Sequence, residues 1–331
     1  MKKQIIKFTS ILMLTIFSAF SLYAEDGETG AEAKSPWALS LTTDAAYNFK
    51  SGYVPGPTHF APITNIWGGI EACITLNGSY TLATPLGESW LVKDAHVLFG
   101  AALELSPITL KPTLSIEFQP LPFFVLSAGG SFGIGWNVLG FEGLCEYDAL
   151  RGYKKLTTFD HPYYEAWAKA TIMFDTGAIF AGDWTHVVMM ANFKTRYAGI
   201  MNIGRNTVYE WQAAKNQVQG LQYDAQVVLG YQMPIVLSLA GIRFQATGHF
   251  DGSDYGAINS NFDGAFSTIS LSPLFQFSFG DKDSLICLID FSSRRSSLQQ
   301  NTAEEDMLYH TTIGREWYFK RIAFSYTHKF F

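Results

Sequence analysis

The sequence has 331 residues, of which 15% are aromatic and only 16% charged, and its formal net charge is -6 at pH 7. Soluble domains usually hold nearer a quarter charged residues, so this composition favours a chain that contacts lipid, and its acidity argues against a nucleic-acid partner. The cysteines Cys73, Cys145 and Cys287 are widely spaced and form no Cys-x-x-Cys pair. We therefore expect no disulfide framework and no metal site.

The chain begins with the features of a secretory signal. Lysines precede an apolar run that ends near residue 22, and Ala24 stands before the first acidic residues. Residues 1–24 are predicted to be a cleaved signal peptide, because the run is too short and wrongly flanked for a membrane anchor. A short N-terminal segment, 25–36, follows, and 37–331 is predicted to form one domain.

No stretch after the signal is predicted to form a spanning helix. The most apolar one, 118–141, is uncharged but contains Pro120, Pro122 and several glycines. Proline and glycine at that density oppose a stable helix. A membrane chain without helices can satisfy its backbone polar groups only as a closed barrel. The predicted fold is therefore all-β, a closed antiparallel transmembrane β-barrel.

Alternation of apolar and polar residues predicts about twelve strands. The clearest case is Leu221, Tyr223 and Ala225, which alternate with Gln222 and Asp224. Stretches of about ten residues are what a tilted strand needs to cross a bilayer. The predicted spans are 37–49, 68–82, 95–105, 108–118, 122–137, 163–174, 183–197, 219–233, 235–247, 263–279, 284–294 and a closing strand from about residue 315.

The predicted connections alternate between long and short. Most of those after odd-numbered strands are long and most of the others are short, which is typical of long outer loops and short periplasmic turns. The two chain termini of the predicted barrel would then both lie in the periplasm, which requires an even number of strands. Fourteen strands, with one hidden in 199–218, is the alternative, and 307–319 is a candidate for a separate strand.

The last residues, 321–331, read RIAFSYTHKFF, in which the apolar or aromatic Ile322, Phe324, Tyr326 and Phe330 share one face of a predicted strand. This ending resembles the closing strand of bacterial outer-membrane β-barrel proteins, and the chain resembles the small barrels of spirochaete-type outer membranes. Phe330 is in phase with the apolar face, and Phe331 lies one residue beyond it. The resemblance implies an outer-membrane location, contact with outer-membrane lipid and recognition by the barrel-assembly machinery through this strand. It leaves the oligomeric state open.

Charged side chains fall on the face opposite the apolar one. A Lys or Arg facing lipid at the bilayer midplane would cost about 2–4 kcal/mol, so this sorting points the charges inward. They could line a narrow pore or neutralise one another in a plugged interior, and the small inward face of 122–137 favours the pore. The lumen-lining candidates are Glu71, Glu104, Lys111, Glu117, Glu165, Lys169, Lys194, Arg196, Asp224, Arg243, Asp290, Arg294 and Arg321.

The sequence contains no recognised catalytic or cofactor signature. The seven histidines are scattered, and Gly133 and Gly135 lie in a predicted strand without the context of a phosphate loop. We expect no enzymatic activity and no cofactor. The predicted function is a porin-like channel for passive diffusion of small hydrophilic solutes. Its candidate constriction is an inward-folded loop, 138–162, which carries Glu142, Glu146, Asp148, Arg151, Lys154 and Lys155.

Three alternatives stay open. A FadL-like transporter of hydrophobic substrates would carry an N-terminal hatch, and only 25–36 precedes the first predicted strand. A barrel that displays its long loops for adhesion would suit their Tyr, Trp and Asn residues. A soluble exported β-protein is the third, because alternation also describes sandwiches.

Overall fold

Twelve long antiparallel strands form the body of the protein in a computed structural model, which describes residues 35–138 and 140–331. The predicted signal peptide and nearly all of 25–36 lie outside the described residues. The strands are β1 Trp37–Ser51, β2 Ile63–Ala83, β3 His96–Leu105, β4 Thr109–Leu121, β5 Phe124–Gly135, β6 Tyr163–Asp175, β7 Val187–Ile200, β8 Gly220–Gln232, β9 Leu237–His249, β10 Thr268–Phe279, β11 Asp283–Ser297 and β12 Thr312–Lys329.

These strands close into one barrel. Each pairs antiparallel with the next in sequence, and β12 pairs with β1 between 321–329 and 40–48. Beyond this ladder the Phe330 N–H donates to the Leu39 carbonyl at 2.9 Å. Closure leaves neither β1 nor β12 as an unpaired edge. The predicted closed antiparallel barrel of twelve strands is confirmed.

Large apolar side chains are exposed on the outer face of the barrel. They alternate with inward-facing residues, as strand geometry requires. Because soluble monomers rarely expose so large an apolar surface, this face is a lipid-contacting band, and the architecture is that of bacterial outer-membrane barrels. Representative members are Ile74 of β2, Phe99 of β3, Leu114 of β4, Leu126 of β5, Ile172 of β6, Phe193 of β7, Leu229 of β8, Ile242 of β9, Leu271 of β10 and Phe324 of β12.

The lipid-contacting band predicts a strong effect of charge at its centre. Leu114 lies near the middle of β4 and is 69% exposed. We expect Leu114→Arg to lower the free energy of unfolding by about 2–4 kcal/mol, measured by urea unfolding in lipid vesicles. Leu150, which is 95% exposed in the connection between β5 and β6, provides the control, and Leu150→Arg should leave the midpoint unchanged. An equal response of the two variants would contradict the assignment.

The connections lie at two ends of the barrel. Those after odd-numbered strands meet at one end, called the loop end, and those after even-numbered strands meet at the other, called the turn end. Most loop-end connections are long, except the turn at 106–108, whereas residues 122–123 alone join β4 and β5 at the turn end. The first residue of β1 and the last residue of β12 both lie at the turn end, as an even number of strands requires.

The alternative of fourteen strands is wrong. Within 199–218 the structure has two short strands, Tyr209–Trp211 and Ala214–Gln217, which pair with each other. Tyr209–Trp211 also pairs with another short strand, Leu144–Asp148, from the connection between β5 and β6. These strands therefore belong to the loop end and not to the barrel wall.

The remaining elements are short. The candidate separate strand at 307–319 is wrong, because a 3₁₀ helix, Glu304–Leu308, precedes β12, which runs unbroken from Thr312. No helix among the described residues is long and apolar enough to span a membrane. The other short elements are the 3₁₀ helices Thr176–Ala178 and Gly252–Ile258, the α-helix Asn259–Phe262, and the strands His59–Phe60, Asn137–Val138, Phe141–Glu142 and Gly152–Lys155.

Candidate functional site in the barrel interior

The predicted lumen-lining residues all lie on the face opposite the lipid-contacting band. They differ in how much of each side chain is buried, so the interior is neither uniformly packed nor uniformly open. The fully buried members are Glu71, Lys111, Glu165, Arg243, Asp290 and Arg321. The partly exposed members are Glu104, Glu117, Lys169, Lys194, Arg196, Asp224 and Arg294. Their role in lining a solute path stays a prediction.

A buried ion-pair network joins the strands on either side of the barrel closure. Arg321 of β12 donates to Asp290 of β11 at 2.8 Å and to Glu71 of β2 at 2.6 Å. Arg243 of β9 donates to the second oxygen of Asp290 at 2.8 Å, and the Asn48 amide of β1 donates to Glu71 at 2.8 Å. Because each charge has an opposite charge within hydrogen-bonding distance, these groups tolerate burial.

A second network crosses β6, β7 and β8. Lys194 donates to Glu165 at 2.6 Å, and Tyr163 donates to the other oxygen of Glu165 at 2.8 Å. Arg196 lies 3.5 Å from Glu165 and donates to the Gln222 amide oxygen at 3.0 Å. Like the first network, this one pairs opposite charges between neighbouring strands and fixes the positions of the side chains.

Two smaller contacts involve further interior charges, one an ion pair and one a hydrogen bond to a neutral amide. On β3 and β4, Glu104 pairs with Lys111 at 2.9 Å. On β8 and β9, both oxygens of Asp224 accept from the Gln245 amide at 2.9 Å. Of the two interpretations left open by the sequence, mutual neutralisation therefore describes much of the interior.

Apolar side chains from nine of the twelve strands form a single buried cluster in the interior. β1 and β5 to β12 contribute to it, whereas β2, β3 and β4 contribute no residue. Close packing of this kind leaves no room for water between its members. The members are Ala46, Val125, Met173, Val188, Met190, Val228, Leu239, Leu274, Ile286, Leu288 and Ala323.

The inner face of β1 to β4 carries small and polar residues that are partly exposed. Small side chains leave space between the barrel wall and the barrel axis. These residues, called the polar lining, are Ser40 and Thr42 of β1, Asn77 and Ser79 of β2, Gly100 and Ala102 of β3, and Thr113, Ser115 and Glu117 of β4. Lys169 of β6 and Asp224 of β8 are also partly exposed, and Lys169 lies within electrostatic range of Asp224 and of Glu117.

The small inward face of β5, which favoured an open pore in the sequence, is occupied in the structure. A side chain added at Gly133 would lie 2.7 Å from the Trp211 ring, and one at Gly135 would lie 3.0 Å from Leu144. Both incoming side chains come from long loop-end connections. The glycines of β5 therefore admit loop residues into the barrel mouth.

The loop-end connections pack together across the barrel mouth and form a cap. Its centre is a four-stranded sheet in the order Gly152–Lys155, Leu144–Asp148, Tyr209–Trp211 and Ala214–Gln217. Buried apolar residues from five connections and from the strand ends hold the cap in place. One cluster contains Leu144, Leu156, Tyr163, Ala198, Ile200, Tyr209 and Trp211, and a second contains Val208, Val218, Tyr255, Phe262, Met307 and Leu308, with Tyr53 packed against it.

Residues 209–217, called the cap hairpin, reach into the barrel mouth. The Gln212 amide donates to Glu104 at 2.6 Å and to Thr109 at 2.9 Å, both on the inner face of the barrel. The Trp211 ring stacks on Tyr163 with 4.6 Å between ring centroids. At the hairpin tip Gln212 and Ala213 have φ values of 50° and 60°, the left-handed backbone that a two-residue hairpin turn between Trp211 and Ala214 requires. The turn therefore places the Gln212 side chain at the foremost point of the hairpin.

A small cavity lies beneath the cap hairpin. Its volume is about 40 Å³, which is enough for a water molecule but not for a nutrient-sized solute. Arg196 and Gln222 of the second network line it from the barrel, and Trp211 and Gln212 line it from the cap. The cap therefore closes directly onto the charged part of the interior.

The residues predicted to form a constriction in 138–162 lie in the cap. Glu142 pairs with Lys155 at 3.7 Å, and Glu146 pairs with Lys154 at 3.5 Å, with both lysine side chains more than half exposed. Arg151 is exposed in the same connection. These pairings are made within the cap, so the residues that reach the inner face of the barrel are Leu144, Trp211 and Gln212. The sequence analysis did not predict this contribution of 199–218.

The electrostatics of the cap centre on Glu210. This side chain is 3% exposed, and burial raises the pKa of its carboxyl to about 7, with a further increase from the nearby Glu142. Lys215 acts in the opposite direction on the pKa of Glu210. Glu142, Cys145 and Glu210 each offer one ligand atom for a metal ion, and these atoms lie within 4.8 Å of one another.

Comparison with known proteins gives only distant structural similarity. No protein-family model matches the chain, and no curated protein matches it either. The match to an outer membrane channel from Pseudomonas putida F1 covers 92% of this chain and 100% of the channel, with 10% identity and a TM-score of 0.43. The match to the outer membrane channel DcaP of Acinetobacter baumannii covers 92% of this chain and 100% of DcaP, with 12% identity and a TM-score of 0.36. The translocator domain of the autotransporter NalP from Neisseria meningitidis covers 90% of each chain, with 10% identity and a TM-score of 0.33.

Proposed function

We propose that this protein is a gated outer-membrane channel for small hydrophilic solutes. The observation that carries the proposal is the contrast between the buried apolar cluster, contributed by nine strands, and the partly exposed polar lining of β1 to β4. A barrel that served only as a scaffold would gain stability by packing its whole inner face alike. The loop end, with its long connections, faces the exterior in this proposal, and the turn end faces the periplasm.

The solute path follows the polar lining along β1 to β4. This face presents hydroxyls, an amide and the carboxylate of Glu117, which can replace part of the hydration of a small polar solute. Lys169 and Asp224 add charges of both signs beside it. The narrowness of a twelve-stranded barrel, whose interior also holds the apolar cluster, limits passage to small molecules.

The cap hairpin is the gate in this proposal. It closes the mouth through Trp211 and the hydrogen bonds of Gln212 to Glu104 and Thr109. Solutes would therefore enter when the hairpin leaves the mouth and reach the polar lining directly.

Recordings from the refolded protein in planar bilayers test this function. We expect brief openings separated by long closed periods, and closed periods that shorten when the cap hairpin is removed. If neither the native chain nor the hairpin-deleted chain conducts ions, the channel proposal fails.

The charge of the polar lining should determine ion selectivity. We expect Lys169→Glu to shift the cation-to-anion permeability ratio about threefold towards cations, measured from reversal potentials in a salt gradient. The matched control is Lys154→Glu, since Lys154 is mostly exposed on the cap. A shift with Lys154→Glu and none with Lys169→Glu would move the selective part of the path from the polar lining to the cap.

A surface-contact role is the second candidate, and exposed apolar side chains on the cap favour it. Three apolar side chains of the loop-end connections are mostly exposed: Leu150 at 95%, Phe159 at 78% and Leu298 at 74%. Large apolar residues at loop tips are typical of protein contact sites. A triple substitution of these residues by Ser should abolish attachment of the purified barrel to host cells under this candidate, and unchanged attachment would exclude these residues as its basis.

A further inference from the structure

The cap contains three metal-ligating side chains that the sequence places far apart. Cys145 and Glu210 are cross-strand partners on two neighbouring short strands of the cap sheet. The Cys145 thiol lies 3.6 Å from one carboxylate oxygen of Glu142. All three ligand atoms lie within 4.8 Å of one another. Because Glu142 and Cys145 come from one connection and Glu210 from another, only the folded cap brings them together.

The carboxylate of Glu210 is the strongest indication that something binds here. Glu210 is 3% exposed, and its Oε2 atom is buried without a hydrogen-bond partner among the described residues. Nearby lysines pair with other carboxylates: Lys215 with Glu305 at 3.2 Å and Lys155 with Glu142 at 3.7 Å. A buried carboxylate oxygen without a donor is unfavourable, and a cation beside it removes the penalty.

We propose that Glu142, Cys145 and Glu210 bind a zinc ion. Zinc accepts thiolate and carboxylate ligands in a tetrahedral site, in which sulfur and oxygen ligands lie about 3.6 Å apart. The observed distance between Cys145 and Glu142 already matches this separation. Calcium and magnesium prefer six or more oxygen ligands, which this cluster does not supply. A water molecule would complete the fourth position on the partly exposed side, next to Glu142.

Zinc at this site would cross-link two connections of the cap. Cys145 lies on the strand Leu144–Asp148, and Glu210 precedes Trp211 and Gln212 in the cap hairpin. A bound ion would therefore hold the hairpin to its neighbour, as a structural zinc does in small domains. This inference concerns metal binding and does not depend on whether the barrel conducts solutes.

Cobalt substitution and zinc titration test the site. The refolded full-length mature protein in detergent should bind one Zn²⁺ per chain by calorimetry at neutral pH. Co²⁺ in place of Zn²⁺ should give the near-ultraviolet thiolate-to-cobalt band, which only a cysteine ligand produces. We expect Cys145→Ser to abolish this band and Glu210→Gln to weaken zinc binding at least about tenfold.

Matched variants separate the site from general effects. Cys287→Ser removes a cysteine on the outer face of β11, and Glu146→Gln removes a carboxylate of the same cap sheet, so both should bind zinc like the native chain. Heat-dependent gel mobility identifies any variant that fails to fold, and the partly exposed Glu142→Gln keeps the test available if Cys145→Ser does not fold. Absence of the cobalt band from the native protein, or a band that survives Cys145→Ser, would overturn the proposal.

Discussion

Deleting the cap hairpin, 209–217, and joining its ends with a short Gly-Ser linker is expected to open the barrel. The deletion removes Trp211 from the inner face of β5 and removes the hydrogen bonds of Gln212 to Glu104 and Thr109. Because the polar lining below is already partly exposed, we expect the mean current in planar bilayers to rise about tenfold or more. The large size of the effect follows from the removal of the gate rather than from a change in the path.

A milder variant tests the same contact without a deletion. A Cβ atom at Gly133 would lie 2.7 Å from the Trp211 ring, so Gly133→Ala should displace the ring and increase the open time. Gly78→Ala is the matched control, since the nearest atom to its Cβ would be Leu39 Cδ1 at 3.9 Å, an ordinary contact. If the hairpin deletion and Gly133→Ala both conduct like the native chain, the hairpin is not the gate.

The second large effect is expected in the buried network at the barrel closure. Arg321→Met leaves Asp290 and Glu71 buried at 2% and 1% exposure without their shared cation. Asp290 keeps its ion pair with Arg243, so Glu71 is the carboxylate left without an opposite charge. Removing one partner of a buried ion pair costs about 3–5 kcal/mol, because the remaining charge stays uncompensated. Urea unfolding of Arg321→Met in lipid vesicles should show this loss.

The origin of the loss can be separated from lost packing. Adding Glu71→Gln to Arg321→Met removes the uncompensated charge and leaves the Arg243–Asp290 pair intact, and we expect it to recover more than half of the stability. Lys329→Met, near the end of β12, is the control for charge removal on the same strand and should be nearly neutral. A double variant as unstable as Arg321→Met would show that shape, and not charge, carries the effect.

The barrel itself could be predicted because its constraints are local. Each strand must face lipid on one side, so the apolar period of two in stretches such as 219–233 gives both the strand and its orientation. The starts of strands were less certain. β2 begins at Ile63 and β10 at Thr268, whereas alternation placed them at 68 and 263, because strand ends at the loop end leave the lipid and lose that pattern.

A one-residue bulge interrupts the alternating pattern of β12. Its register with β11 shifts between Arg321 and Phe319, so Lys320 is the extra residue of a bulge. Before the bulge the odd-numbered residues, such as Trp317 and Phe319, face outward. After it the even-numbered residues, such as Ile322, face outward. This is why the first half of β12 resembled a separate strand.

The cap could not be predicted, because its contacts depend on packing between distant connections. Leu144 and Trp211 fill the space above the β5 glycines, yet neither position shows a periodic signal in the sequence. The glycines show only that the inner face of β5 is small, and the sequence does not identify the side chains that fill it. The same limit applies to the cluster of Glu142, Cys145 and Glu210, which exists only after the two connections pair.

The central claim is that hydrophilic solutes meet the polar lining while lipid meets the outer band. In a background with all three cysteines replaced by Ser, single cysteines at Ser115 and Ile116 of β4 test this directly in liposomes. We predict that Ser115→Cys reacts with a membrane-impermeant, water-soluble thiol reagent and that Ile116→Cys reacts only with a lipid-soluble one. Equal reaction of both positions with the water-soluble reagent, or of neither, would contradict a barrel with a water-accessible lining.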